Sequence, residues 1–379
     1  MEMKPSIKQR RKRYGKYSSL ARPRGRSSRV NNGLPRRGRR LSRSSARKGA
    51  AGGSSLQRLK RKAVGAGTRA AAEGNVADHG SLHMQSCFRE WAQAERIDRS
   101  PYAAILPIAL AYRRGYAHAA GLDALWIPLP LNGSASAIVT ASNEEKTLPA
   151  VVAELRKLPL QEIIVVLNGC NDGSFAAVDR DPRITRLSFP ERLGHDVGRA
   201  IGASAASGDI LLFTDGDLCV PAEDLAAFLI AVDRGEDVAL NDLSPYLPPF
   251  SHQDEVTRCK AFLNMALGRP DLKANSLTAV PNALSRRALQ TVGTAALIVP
   301  PKAQALALTH GLKAGAPISV DVIRKNRIRT SNSGAGNAVA QMIVGDHLEA
   351  LGEVMKTEGV RLRFATLGRS ELAKMRNAR

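Results

Sequence analysis

The chain has 379 residues, 44% of them apolar and 24% charged, a balance that supports a buried core and excludes a wholly disordered polymer. Aromatic residues make up 4%, too few for a surface built to stack bases. The formal net charge of +22 lies in one stretch: residues 1–70 hold 23 Lys and Arg against one acid, Glu2, and the remainder balances 33 basic against 33 acidic residues.

Residues 1–70, with stretches such as RPRGRSSR and RRGRRLSRSSARK, are expected to be a disordered Arg/Lys-rich tail, because few apolar groups offset the entropy of ordering. Such an arm suits an anionic partner: nucleic acid, a membrane surface or another anionic polymer. Residues 71–82 read as a linker, and 71–130 as a linker and helical extension, with helices over 83–121 broken near Pro101 and Pro107. WIPLPLNGS (126–134) leads into a domain expected over 131–379.

From there the periodicity alternates. SASAIVTA (134–141) reads as a strand. EEKTLPAVVAELRKL (144–158) places Leu148, Val151, Val152, Leu155 and Leu158 on one helical face. QEIIVVL (161–167) reads as a buried strand followed by the polar turn NGCNDGS, and RITRLSF (183–189) as a third strand. GRAIGASAASG (198–208) is a small-residue helix, DILLFTDGD (209–217) a strand ending in acids, and PAEDLAAFLIAVDRG (221–235) an amphipathic helix. Strands alternating with helices imply βαβ units and a mostly parallel sheet, which binds ligands beyond its carboxyl ends. The polar signals SNEE, NGCNDGS and TDGD all fall at those ends.

The four cysteines, Cys87, Cys170, Cys219 and Cys259, are scattered without a CxxC pair, which argues against a zinc ribbon or a disulfide framework and for a reducing compartment. No apolar run reaches the length of a spanning helix, and the basic start lacks the apolar stretch of a secretory signal. A cytoplasmic location is expected, with peripheral association at the inner face of the membrane open to the basic tail.

Asp215 and Asp217 carry the clearest chemistry. Residues i and i+2 of an extended segment face one side, and two carboxylates there suit Mg²⁺ or Mn²⁺. An ion so held would stabilise charge on a departing diphosphate.

Thr140-Ala141-Ser142-Asn143-Glu144, the turn Asn168-Gly169-Cys170-Asn171-Asp172-Gly173-Ser174, and the run Gly194, Arg199, Gly208, Asp209, Asp215, Asp217 together resemble the family 2 glycosyltransferases. The resemblance covers residues 135–245 and continues weakly to about 330. It implies an α/β GT-A fold, a mostly parallel sheet with flanking helices, divided into a nucleotide-binding half (131–245) and an acceptor half (246–379). By the same resemblance, Ala141, Ser142, Glu144, Asn168, Gly169, Gly194, Arg199 and Asp215 bind a nucleoside-diphosphate sugar. Asp215 and Asp217 hold the metal, and the product is a glycoside of a saccharide, lipid-linked or protein acceptor, as in bacterial polysaccharide or glycoconjugate synthesis.

The sequence departs from the family pattern at three places. Asn168 stands where the family has a carboxylate; an amide still hydrogen-bonds a base edge. Ala200 stands where an Asn is common. VPPKAQALAL (299–308) carries no acid where inverting members place a base, leaving Asp254, Glu255 and Asp346 as candidates. His347 is a candidate third metal ligand, in the manner of retaining GT-A enzymes. Arg286 and Arg287 are candidates for a donor phosphate. The competing reading is an inactive transferase-like fold that binds through its basic tail.

Overall fold

The computed structural model describes residues 44–74, 80–123, 125–178, 180–323, 337–362 and 367–377, with side chains from residue 55 onward. The chain divides into two units, Met1–Gly49 and Ala50–Arg379. Of the first, residues 44–49 alone are described, as the start of one helix; the sheet and its flanking helices belong to the second.

Three helices come first: α1 (Ser44–Glu73), α2 (Ser81–Ala94) and α3 (Tyr102–Ala120). The expected disorder through residue 70 does not hold over 44–70, which are helical; residues 1–43 lie outside the described residues. The cause is an apolar stripe hidden among arginines. Ala63, Ala66 and Ala71 are buried, with Leu56, Leu59 and Val64 packed beside them, against Met84, Phe88, Ile105, Tyr112 and Tyr116 of α2 and α3. Gly67 and Gly115 let α1 and α3 cross closely: a Cβ on Gly67 would lie 2.2 Å from the Tyr112 carbonyl oxygen, and one on Gly115 2.1 Å from that of Val64.

Pro101 precedes α3 as expected, but Pro107 lies inside α3 and does not break it. The flanking Ile105, Ile108 and Ala109 are fully buried, and their packing outweighs one missing backbone donor. The helical extension packs on the sheet domain. Leu129 N donates to Gln85 Oε1 at 2.8 Å, the Tyr102 hydroxyl donates to the Glu223 carbonyl, and Tyr102, Leu106 and Leu110 abut the main core.

The sheet domain runs β1 (Ala135–Ala141), α4 (Leu148–Leu155), β2 (Glu162–Asn168), α5 (Ser174–Ala177), β3 (Ile184–Phe189), α6 (Val197–Ala205), β4 (Ile210–Asp215) and α7 (Ala222–Asp233). It continues with β5 (Val238–Asn241), α8 (Glu255–Ala266), β6 (Asn282–Ser285), α9 (Arg286–Val292), α10 (Pro300–Thr309), β7 (Ala314–Ile318), α11 (Ala338–Glu358) and α12 (Arg369–Asn377). The strand order is β3-β2-β1-β4-β6-β5-β7. β1, β2, β3 and β4 are mutually parallel, as are β5 and β7, while β6 runs antiparallel to both its neighbours.

Alternate residues of β1 point to opposite faces. Ala137 and Val139 join a core under α4 and α7, and Ile138 joins a second core under α6, α9 and α10. This is the α/β arrangement that the resemblance implied, a mostly parallel sheet with flanking helices.

Candidate active site

The carboxyl ends of β1, β2 and β4 open into a cavity of about 400 Å³. Its lining brings together Ala141, Ser142, Glu144, Asn168, Gly194, Arg199, Asp215 and Asp217. Of the expected donor-binding residues, only Gly169 is absent from this lining.

Strand register explains the position of Asp215. It lies opposite Thr140 in the β1–β4 ladder, and the Thr140 hydroxyl donates to its Oδ1 at 2.8 Å. β4 ends at Asp215, and a turn carries Asp217 back to the same cavity. Gly216 is required there for close packing: a Cβ would meet that of Ala141 at 2.8 Å. Behind the acids, Arg199 is buried. Its guanidinium lies 3.2 Å from Asp196 Oδ1 and 3.8 Å from Asp215 Oδ1, and donates to the Leu277 carbonyl at 3.0 Å. Arg199 thus offsets negative charge next to Asp215 while it ties α6 to the segment before β6.

Asn168, in the place of the family's carboxylate, has a defined task. Its Nδ2 donates to the Gly194 carbonyl at 2.7 Å, and its Oδ1 accepts from Leu193 N at 2.8 Å. The backbone N–H can only donate and the carbonyl can only accept, so the amide orientation is fixed. Asn168 therefore clamps the 193–194 loop with both ends of its amide. Gly169, with φ +64°, makes room for Arg192, whose Cγ would lie 2.4 Å from an added Cβ. Arg192 lines the cavity, and its Nη2 donates to Ser142 Oγ at 3.4 Å.

The two turns that follow β1 and β2 are laced together. Glu144 N donates to Ser174 Oγ at 2.8 Å, Glu145 N to Asp172 Oδ2 at 3.1 Å, and Asn171 N to Asn143 Oδ1 at 2.8 Å. Glu144 is buried at the cavity wall.

Several cavity residues were not among the expected site residues: Thr140, quoted only as part of its motif, Arg192, His195 and Asp196, with Ala338, Val339 and Met342 of α11. The signal for the first was its place in the strand run; nothing local marks the α11 residues, which arrive from some 120 positions beyond the acidic pair.

The base candidates separate. Asp254 caps α8, accepting from Thr257 N at 2.7 Å, and Glu255 is exposed in its first turn; neither is among the described residues lining the cavity. Asp346 is also not among the described residues lining the cavity, but the charges of the cavity residues Asp196 and His195 act on it. Burial raises its pKa, and the charges of Asp196 and Glu349 add to the rise while His195 opposes it.

His347 is buried in α11 and is not among the cavity-lining residues. Its Nδ1 lies 2.6 Å from the Ile343 carbonyl, which only accepts, so Nδ1 carries the proton and Nε2 presents a lone pair with no hydrogen-bond partner among the described residues. Burial and the charge of Lys260 push its pKa down to about 4. Among the described residues no three His, Cys, Asp or Glu side chains converge as a metal set.

Arg286 and Arg287 point to structural partners. Arg286 donates to the carbonyls of Ala206 at 2.8 Å and Gly208 at 3.0 Å, and Arg287 pairs with the buried Asp237.

Residues 136–258 match the family described as Glycosyl transferase family 2. The undecaprenyl-phosphate 4-deoxy-4-formamido-L-arabinose transferases of Yersinia pestis (strain Pestoides F) and Yersinia pseudotuberculosis serotype O:3 (strain YPIII) are each 30% identical over 113 residues, 27% of this chain and 35% of the relative. The chain therefore spans about a third of the length of these relatives. Among solved structures, glucosyl-3-phosphoglycerate synthase from Mycobacterium tuberculosis with Mn²⁺, UDP and phosphoglyceric acid is 20% identical, with a TM-score of 0.43 over 58% of this chain and 78% of that one. The same enzyme with Mg²⁺ and UDP is 17% identical, with a TM-score of 0.42 over 58% and 80%. The acidic pair, the Asn168 clamp and the Arg199 anchor all lie within residues 136–258, the segment that matches glycosyl transferase family 2.

Proposed function

We propose that the protein transfers a glycosyl group from a nucleoside-diphosphate sugar to an acceptor hydroxyl. The observation that carries this reading is the convergence of Asp215, Asp217, Glu144 and Arg199 on one cavity at the carboxyl edge of the sheet, inside the family-matched segment.

The donor set fits a hard divalent cation: two carboxylates, each half-buried, at the wall of one cavity. Asp215 and Asp217 would hold Mn²⁺ or Mg²⁺, which on binding would stabilise the negative charge of a departing diphosphate. The protein's own groups do the rest. Arg199 holds Asp215 in place through its buried guanidinium. Glu144 and the clamped 193–194 loop border the space for the nucleoside. In the transfer, the bond from the anomeric carbon to the acceptor oxygen forms as its bond to the diphosphate oxygen breaks, and the acceptor proton leaves to a base. Asp346 is the base candidate kept in this reading, because the charges of the cavity residues His195 and Asp196 act on it and its pKa is raised by burial. His347, buried beyond the cavity lining, is the weaker third ligand in this reading.

The Yersinia relatives are named for a lipid-linked substrate, undecaprenyl phosphate, which supports a lipid-linked acceptor in bacterial glycoconjugate synthesis. Among the described residues no helix is long and apolar enough to cross a membrane.

The test is thermal stabilisation by UDP-, GDP-, dTDP- and CDP-sugars with and without Mn²⁺. A ligand that binds only the native state stabilises it by RT ln(1 + [L]/Kd), about 2.7 kcal/mol at a hundredfold excess over Kd. A metal-dependent shift with one nucleotide, lost in Asp217→Ala, supports the reading. No shift with any donor favours the inactive, tail-binding alternative.

A further inference from the structure

A second cavity lies well apart in sequence from the donor site. It opens between α1, α3 and the segment after α3, in the helical extension that precedes the family-matched residues. Its volume is about 580 Å³. Pro107, Leu110 and Leu122 contribute apolar surface, and Leu125 stands 57% exposed at its side. Lys60, Arg113, Arg114 and His118 supply the polar lining, with Asp123 as the one acid.

Three permanent cations, Lys60, Arg113 and Arg114, share this lining with one acid, Asp123. Arg113 donates to the Leu125 carbonyl at 3.1 Å, which leaves its charge unpaired. Among the described residues, Lys60, Arg114 and His118 make neither a salt bridge nor a side-chain hydrogen bond. By contrast, Lys62, two residues along α1, pairs with Glu95 at 2.9 Å. Beside the cavity, α1 and α3 approach each other closely at Gly67 and Gly115, where an added Cβ would meet the facing backbone. A preformed hollow that joins apolar surface to unpaired cations is complementary to one kind of ligand.

We propose that this hollow binds a phosphate-bearing amphiphile, with the phosphate on Lys60, Arg113 and Arg114 and the start of the alkyl chain against Leu110, Leu122 and Leu125. Arginine is suited to phosphate by its forked donors, and a chain of a few methylenes would cover the leucines that water now meets. The ligand reaches the hollow either as a free amphiphile or as a lipid headgroup at a bilayer surface. The inference does not rest on glycosyl transfer.

The chain contains two tryptophans, Trp91 and Trp126, and both pack on the core of this extension; Trp126 adjoins Leu125. Intrinsic fluorescence therefore reports the site directly. Full-length protein would be titrated with monomeric octyl phosphate, octanol and inorganic phosphate. Octyl phosphate is expected to bind saturably, at least tenfold more tightly than either half alone. Lys60→Glu and Arg114→Glu should each weaken it about tenfold, and Arg69→Glu, an equal charge change at an exposed position of α1 outside the hollow, by less than twofold. Co-sedimentation with phosphatidylcholine vesicles, with and without phosphatidic acid, separates the sources. Vesicle binding that falls in Arg114→Glu but not in Arg69→Glu assigns a bilayer headgroup, and octyl phosphate binding without it assigns a free amphiphile. Equal affinity for octyl phosphate and inorganic phosphate, or equal losses in all three variants, overturns the proposal. Donor-dependent thermal stabilisation of the same samples reads the other site, so failure here leaves that result standing.

Discussion

Asn168→Asp puts the family's usual carboxylate into a site built for an amide. The variant keeps the acceptor for Leu193 N but places an oxygen 2.7 Å from the Gly194 carbonyl, where a donor stood. Two outcomes are open to the folded chain. The carboxyl can stay charged, leaving the Gly194 carbonyl of this part-buried pair without its donor and facing a carboxylate oxygen, at a cost of about 1–3 kcal/mol. It can instead take up a proton and donate, at about 1.4 kcal/mol for each pH unit above its ordinary pKa near 3.9, which is about 4 kcal/mol at pH 7 and about 1.5 kcal/mol at pH 5. The cheaper route wins, so the loss at pH 7 should be about 1–3 kcal/mol. Because the neutral acid is the form the fold favours, the folded pKa is raised, and the deficit grows as pH rises from the carboxylate range. Urea unfolding of wild type and variant at pH 5 and pH 7, read by circular dichroism, measures both. A variant within about 0.5 kcal/mol of wild type at both pH values would refute the clamp.

Asp237→Asn tests a buried carboxylate outside the cavity. Burial alone would raise the Asp237 pKa, but donation from Arg287, Lys313 N and Ser285 outweighs it and holds the carboxyl below its usual range. A depressed folded pKa contributes stability that is present above the unfolded pKa and lost as pH falls through the folded one. Wild type should therefore lose stability below about pH 4 more steeply than Asp237→Asn in acid titrations followed by fluorescence; parallel curves would exclude the ion pair as a source of acid sensitivity. Gly67→Ala forces α1 off the Tyr112 backbone and should cost about 1–3 kcal/mol by overpacking, with a red shift in emission from Trp91 and Trp126; unchanged emission and melting would contradict the close crossing. Arg199→Met leaves Asp196 buried without its cation and should destabilise by about 3–5 kcal/mol, more than Arg199→Lys; equal losses would indicate that charge placement is unimportant there.

The first half of the sheet was legible because β1, β2 and β4 are continuous apolar runs, as parallel strands covered on both faces must be, and each ends in polar turns. The later strands were not. β5 and β6 have four residues each, and β7 reads AGAPI, too short and too rich in Gly and Pro to stand out from loops. α1 was hidden because its buried stripe is largely alanine within an arginine-rich stretch, and only tertiary contact with Phe88 and Tyr112 shows its use. At the site, Asp215 and Asp217 announced themselves through strand-end position. The role of Asn168 did not, because its partners lie 25 and 26 residues away on a loop. The wall supplied by Ala338, Val339 and Met342 comes from a helix that no motif connects to the acids.

The central claim is that the β4 acids serve glycosyl donor chemistry in the 400 Å³ cavity. Its most direct test is release of nucleoside diphosphate from a panel of nucleoside-diphosphate sugars, measured on the full chain with Mn²⁺, with Mg²⁺ and with chelator, alongside Asp215→Asn and Asp217→Asn. The account predicts metal-dependent release from one donor class, reduced at least a hundredfold in both variants while their melting temperatures stay within a few degrees of wild type. Release that persists in both well-folded variants, or that is indifferent to chelator, would contradict it.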